Sequence, residues 1–386
     1  MATKMLITTN DGKYHAVKQA FITTGGVYRK VKKAFVTIGG VYRPCWNAET
    51  GSGTISGVIE YYGTIDSLSS ARTNLAATSV GNYALFGGGG DSNGAYSTVD
   101  VYNKSLTKLD NKQLSSTLYN LTAVTVGGYA LFAGGNYNYS MKNNVDAFDT
   151  SLTKTVATAL TEAKGSPKSA RVGNYAIIGG YSAKTTVDAY DTSLVKYSLD
   201  SFTSPRYAYA TATVGDYALF AGGVDSDDVY YSLVEVYDKS LTKSTATSLI
   251  TARCNLAGAS VGDYALFGGG SLANSAISST VYNTVDTYNK SLTKSTATAL
   301  STSRGSVRAG SVGNYAVFAG GNKGMTYYNK VDVYEPSLTK TTVTNLSIQV
   351  SGLAVTTLDN YLLFGGGTKY TSSGTAKSNI VEVYTV

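Results

Sequence analysis

The chain is poor in the residues most chemistry needs. Among its 386 residues there is one histidine, one tryptophan, two cysteines and four prolines. A single His15 cannot build a multi-histidine metal site or act as both acid and base. Cys45 and Cys254 lie far apart without C-x-x-C spacing, so they read as two free thiols, and nothing marks an oxidising compartment. No run approaches the roughly 18 apolar residues of a membrane helix, so no membrane insertion is expected. The opening MATKMLITTNDGKY has no apolar h-region of a secretory signal. Long amphipathic helix patterns are missing, whereas β-favouring residues abound, with 32 tyrosines and 42 glycines.

Charge is unevenly placed. Residues 1–48 carry eight basic residues against Asp11 alone, which accounts for the whole net charge of +7. The remainder is electrically neutral.

Internal repeats dominate that remainder. YALFGGG occurs at Tyr83–Gly89 and Tyr264–Gly270. The tyrosines heading this motif and its close copies are Tyr83, Tyr129, Tyr175, Tyr217, Tyr264, Tyr315 and Tyr361, spaced 46, 46, 42, 47, 51 and 46 residues apart. The dipeptides before them, mostly Gly-Asn or Gly-Asp, read as tight hairpin turns. Each copy is followed by an apolar-acidic-apolar-aromatic motif such as VDVY (Val99–Tyr102), with Asp100, Asp146, Asp188, Glu235, Asp286, Asp332 and Glu382 at the acidic position. Alternation predicts its valines on one face and its acidic and aromatic residues on the other. Fold-maintaining hydrogen bonds are the expected role of these acids. A turn, often KSLTK, and a short strand such as STATAL (Ser295–Leu300) complete the unit.

Each unit thus has strands a to d: one like SVRAGSV (Ser306–Val312), then the tyrosine-headed strand, the acidic strand and the short one. Seven such units predict an all-β, seven-bladed β-propeller with four-stranded blades. One sheet of this kind cannot bury both faces, but seven packed about an axis can. The last unit stops after strand c. Thr64–Leu68 aligns with Thr296–Leu300 and is expected to complete it. The expected organisation is a basic β-rich arm over 1–48, a flexible linker over 49–57 (GSGTISG within it) and the propeller over 58–386.

The Gly-Gly ending strand b, the acidic strand c and an arginine opening the next unit (Arg72, Arg206, Arg253, Arg304) resemble the kelch repeat over residues 58–386. The tryptophan usual in strand d of that family is absent from every unit. The arm repeats with a period of 14: Gly12, Gly26 and Gly40 align, as do Tyr14, Tyr28 and Tyr42, which predicts a small β-meander. GGVYRKVKKAF (Gly25–Phe35) and GGVYR (Gly39–Arg43) are similar to short repeats near the N-termini of tail proteins of phages and prophages of Gram-positive bacteria.

Catalytic chemistry finds little footing. The glycine runs precede loop and strand, not the helix that a phosphate loop or dinucleotide fingerprint opens. Kelch propellers resembling galactose oxidase hold copper on tyrosine and histidine, and no histidine follows residue 15. No motif singles out a nucleophilic serine. Asp225, Asp227 and Asp228, and Asp91 with Asn93, read as solvated acidic loops, although they are the one place where calcium stays open. No catalytic residue, metal or cofactor is expected.

Two features rise above this background. The b–c loops vary from six residues in the third unit to fifteen in the fifth (Gly270–Thr284), and they carry tyrosines. Tyr137, Tyr181, Tyr231, Tyr282 and Tyr328 are candidate contacts for sugar rings or protein partners. Eleven residues before the anchor tyrosines stand Arg72, Lys164, Arg206, Arg253 and Arg304, with Leu118 and Val350 in the other two units. The kelch resemblance implies that such arginines meet an anionic ligand; salt bridges between blades are the alternative. In the arm, Tyr28, Arg29, Lys32, Lys33, Tyr42 and Arg43 are expected to dock on other tail or baseplate subunits within an oligomeric assembly, not on nucleic acid. The resemblances together imply a non-enzymatic receptor-binding or adhesion protein of a virion or phage-tail-like particle, made in the bacterial cytoplasm. It would bind a cell-surface glycan or anionic polymer. A decorative tail subunit and a polysaccharide-degrading enzyme are the alternatives.

Overall fold

The computed structural model describes residues 58–386 except 182, 273–279 and 373, and the backbone of 21–24, 27–30, 33–38 and 41–47. The chain divides into two compact units, Met1–Ile59 with Val386, and Glu60–Thr385.

In the first unit, Phe21–Thr24 pairs antiparallel with Val27–Lys30, and Lys33–Ile38 with Val41–Asn47. These are two separate hairpins where one meander was expected. Pairing across the segment between them would set Lys30 opposite Lys33, a like-charge pair. Tyr28, Arg29, Lys33, Tyr42 and Arg43 lie on these strands. Lys32 and the expected linker over 49–57 lie outside the described residues.

The second unit is all-β, with seven four-stranded antiparallel sheets. The fifth is typical: Ala257–Val261, Tyr264–Gly268, Val285–Asn289 and Lys294–Ala297 serve as strands a to d. Its a–b and c–d turns share one end, and its b–c loop and d–a connection share the other. The seventh sheet takes its fourth strand from the start of the unit, Glu60–Ile65, paired with Val381–Thr385. The expected segment over 64–68 overlaps this strand only at its C-terminal end. Strand d stops three residues before a buried leucine, and Leu68 and Leu300 are both 2% exposed.

Strand c departs from simple alternation. Val99, Asp100, Val101 and Tyr102 are all buried, because neighbouring sheets cover both faces. Ala84, Phe86 and Tyr102 of the first sheet share a core cluster with Leu358, Leu363 and Val383 of the seventh. The first and last sheets therefore bury apolar surface against each other, as the fourth and fifth do.

Strand a of each sheet packs on strand a of the next, and Ala354–Leu358 of the seventh packs on Ala76–Val80 of the first. Short hydroxyl side chains stitch these strands. Ser260 Oγ donates to the Thr213 carbonyl at 2.6 Å, Ser311 Oγ to the Ser260 carbonyl at 2.6 Å, and Thr357 Oγ1 to the Ser311 carbonyl at 2.5 Å. Thr125 to Ser79, Ser169 to Ala123 and Thr211 to Ser169 continue the pattern.

The Gly-Gly pairs clasp adjacent sheets. Gly269 and Gly270 hold φ of 70° and 111°, in the left-handed region that glycine favours. A Cβ on Gly269 would stand 2.8 Å from the Arg304 carbonyl oxygen, so only glycine fits. The Gly270 N–H donates to that carbonyl at 3.0 Å. The same bond runs from Gly89 to Leu118, Gly135 to Lys164, Gly223 to Arg253, Gly321 to Val350 and Gly367 to Arg72.

Candidate functional site

The recurrent acids form a buried ion-pair system at the joint between a d–a connection and strand c. Arg72 meets Asp100 at 2.5 Å, Lys164 meets Asp188 at 2.6 Å, and Arg206 meets Glu235 at 2.5 Å. Arg253 meets Asp286 at 2.8 Å and Arg304 meets Asp332 at 2.9 Å. All ten side chains in these pairs are fully buried. Each pair lies within one unit, not between two. These five cations, expected to face an anionic ligand, have no exposed surface; they neutralise the fold's own carboxylates. Each carboxylate also caps the connection ahead of it: Asp100 accepts from the Ser69 N–H at 2.9 Å, and Asp332 from the Ser301 N–H at 2.9 Å.

A second cation approaches from strand d, which sequence reasoning missed. Lys108, Lys243 and Lys294 reach Asp100, Glu235 and Asp286 at 2.8, 2.7 and 3.0 Å. The signal was present, since the final lysine of KSLTK stands opposite the strand-c tyrosine: Tyr102 pairs with Lys108 and Tyr288 with Lys294. Burial alone would raise the Glu235 carboxyl, but Arg206, Lys243 and the Thr203 N–H outweigh it and hold it below its ordinary value. The strand-c tyrosines complete the joint, with Tyr237 and Tyr288 donating to the Asp200 and Thr247 carbonyls at 2.5 and 2.6 Å.

Two units lack the inner cation. The second has buried Leu118, and Asp146 accepts from Ser115 N and Oγ at 2.9 and 2.5 Å. The seventh has buried Val350, and the Tyr61 hydroxyl donates to Glu382 at 2.7 Å, taking the place of the strand-d lysine.

The b–c loops are built, not slack. Thr368–Thr371 and Gly374–Lys377 form a hairpin in the seventh unit, and Asn136–Tyr137 pairs with Ser140–Met141 in the second. Tyr231, Tyr282 and Tyr328 occupy one repeated, half-buried position whose N–H donates to the second glycine of the Gly-Gly pair at 2.9 Å. Tyr231 also donates its hydroxyl to Asp225 at 2.8 Å. Tyr181 is half-buried, its ring tilted against Tyr207 at 5.5 Å. Tyr137 is exposed, at 42%.

The most exposed apolar groups of these loops are Tyr139, at 98%, and Met325, at 71%, of which sequence reasoning passed over Met325. Tyr370, half exposed, stacks on buried Tyr327 with centroids 6.3 Å apart and planes at 25°, joining the loops of the sixth and seventh units. The acidic loop resolves as a local staple. Asp225 accepts from the Asp227 and Val229 N–H groups, each at 2.9 Å, and these bonds with Tyr231 lower its carboxyl. Among the described residues no cluster of three metal-ligating side chains occurs.

No protein-family model matches the chain, and no curated protein is similar to it.

Proposed function

We propose that Glu60–Thr385 is a closed seven-bladed propeller of kelch-like construction, and that its b–c loop end is an adhesion surface for a cell-surface glycan or anionic polymer. Closure is supported by the hydrogen bonds at the joint of the seventh and first sheets. Gly367 N–H donates to the Arg72 carbonyl at 2.9 Å, and Arg72 N–H to the Ser378 carbonyl at 3.0 Å, repeating Gly270 to Arg304 and Arg304 to Tyr282.

One observation carries the binding reading: exposed apolar side chains gather on the b–c loops. Tyr137, Tyr139, Met141, Met325 and Tyr370 all stand there. Aromatic faces with a hydroxyl edge suit sugar rings, which present C–H groups on one side and hydroxyls on the other. The proposed role is adhesion, not catalysis. The basic arm over 1–48, with Tyr28, Arg29, Lys32, Lys33, Tyr42 and Arg43, is the proposed attachment to other tail or baseplate subunits of a virion or phage-tail-like particle. This part of the proposal rests on its period-14 repeat and its tail-protein resemblance.

The test is binding of the full chain to an array of glycans and cell-wall polymers. Tyr137→Ala with Tyr139→Ala is expected to weaken the captured interaction. Release of reducing sugar from the same polymers would turn the reading towards a degrading enzyme.

A further inference from the structure

Among the described residues one aromatic pair lies nearly parallel. Tyr370 stacks on Tyr327 with ring centroids 6.3 Å apart and planes at 25°. The other ring pairs are tilted or edge-on, at 48° or more. The stack joins hairpins of neighbouring units. In the sixth unit, Tyr327 lies on Thr326–Tyr327, paired with Asn322–Lys323. In the seventh, Tyr370 lies on Thr368–Thr371, which pairs with Gly374–Lys377 and packs on Thr326–Tyr327. Tyr327 is buried, at 6%, and Tyr370 is 50% exposed. One face of the Tyr370 ring is thus held against the fold, and its other face meets no ring or cation among the described residues. A ring held in this way loses little further side-chain freedom when a ligand stacks on it.

Charge is divided among the b–c loops. The sixth-unit loop carries Lys323 and Lys330, the seventh-unit loop carries Lys369 and Lys377, and neither holds an acid. The fourth-unit loop carries Asp225, Asp227 and Asp228 and no base. Register sets Thr375 opposite Tyr370 and Lys377 opposite Thr368. Lys377 and Tyr370 therefore share one face of their hairpin as diagonal cross-strand neighbours, within reach of long side chains. Lys323 stands opposite Thr326, the residue before Tyr327. None of the four lysines has an ion-pair partner among the described residues. Solvated lysines do not by themselves call for a ligand. The held ring supplies the surface, and the lysines set the sign of charge it favours.

We propose that Tyr370, braced by Tyr327, is the sugar-stacking platform of the loop end, and that it takes a pyranose bearing a carboxylate. The proposal rests on the adhesion reading above and narrows it from glycans in general to acidic ones. A pyranose offers C–H groups to the open face of Tyr370, while its hydroxyls and carboxylate turn to the rim where Lys377 and Lys323 stand.

The test applies the full chain to a panel of immobilised hexuronate polymers, and to the same polymers with their carboxylates reduced to neutral alcohols. Saturable binding to at least one acidic polymer is expected, at least about tenfold weaker to its reduced counterpart and weaker at raised salt. Tyr370→Ala weakens it at least about tenfold, and Tyr370→Phe retains it. Lys323→Glu with Lys377→Glu removes the preference for the acidic form. Tyr327→Leu, which leaves Tyr370 in place without its brace, weakens binding as well. Circular dichroism and the thermal midpoint check that each variant is folded. Binding unchanged in Tyr370→Ala, equal binding of acidic and reduced forms, or binding to other glycans but to no hexuronate overturns the proposal and leaves the adhesion reading standing. Absence of binding to any glycan or wall polymer brings down both.

Discussion

The ion-pair joint of the fifth unit makes an unequal demand on its two partners. Asp286 is held by Arg253 at 2.8 Å, by the Ile250 N–H at 3.0 Å and by Lys294 at 3.0 Å. Arg253 has one carboxylate, two carbonyl contacts at 3.2 and 3.3 Å, and a buried Nε with no partner. Asp286→Ala therefore strands a buried guanidinium, at a cost of about 3–5 kcal/mol. Arg253→Leu recreates the arrangement of the second unit, where Leu118 stands beside Asp146, and leaves Asp286 two of its three partners. Its cost is about 1–2 kcal/mol, set by the lost charge-assisted bond. The double variant Arg253→Leu with Asp286→Ala costs less than the sum of the single changes, since no buried guanidinium is left unpaired. Urea unfolding of the full chain, followed by far-ultraviolet circular dichroism, measures all three. An Arg253→Leu cost equal to or above that of Asp286→Ala, or a double variant that costs the full sum, would refute the reasoning.

Other consequences follow from the same joints. Gly269→Ala forces a Cβ to within 2.8 Å of the Arg304 carbonyl at φ 70°, so the thermal midpoint falls clearly, whereas the exposed Gly94, with nothing within 4 Å, accepts Ala at the cost of its backbone strain alone. Because the Glu235 carboxyl is held low in the fold, its stabilisation is complete above the ordinary glutamate range and is lost as pH falls through the folded value; Glu235→Gln flattens that part of the acid-stability curve. Lys168 behaves oppositely. Its folded value of about 7 lies below the usual lysine range, so the penalty is full below pH 7 and fades as pH rises towards that range. Lys168→Ala raises the midpoint at pH 6 and leaves it nearly unchanged near pH 10. Cys254 is buried and its thiol pushed up to about 11 by burial, so a thiol reagent labels it only when the chain unfolds.

Much of the fold was legible because its determinants are repeated. Tyr83 to Tyr361 marked seven second strands, and the acids from Asp100 to Glu382 marked seven third strands, now seen as seven four-stranded sheets with the first strand paired to the last. Strand ends were less legible. Leu68 and Leu300 continue the apolar pattern past the last ladder bond, because a buried side chain does not require a paired backbone. The role of the charged ring stayed open between an anionic ligand and salt bridges for a related reason. Sequence showed that Arg72, Arg206, Arg253 and Arg304 recur, but not that Asp100, Glu235, Asp286 and Asp332 fold back within reach of the arginine of the same unit. Recurrence marked scaffold, and the departures from recurrence marked the variable b–c loops, whose exposed Met325 carries no repeated signal.

The adhesion reading meets its most direct test in binding of the full chain to immobilised cell-wall polymers and glycans from Gram-positive bacteria, compared with the Tyr137→Ala, Tyr139→Ala and Tyr370→Ala triple variant. The account predicts saturable binding to at least one polymer, weakened at least about tenfold in the variant while its circular dichroism stays unchanged. Binding that the variant retains in full, or no binding to any polymer, would contradict it.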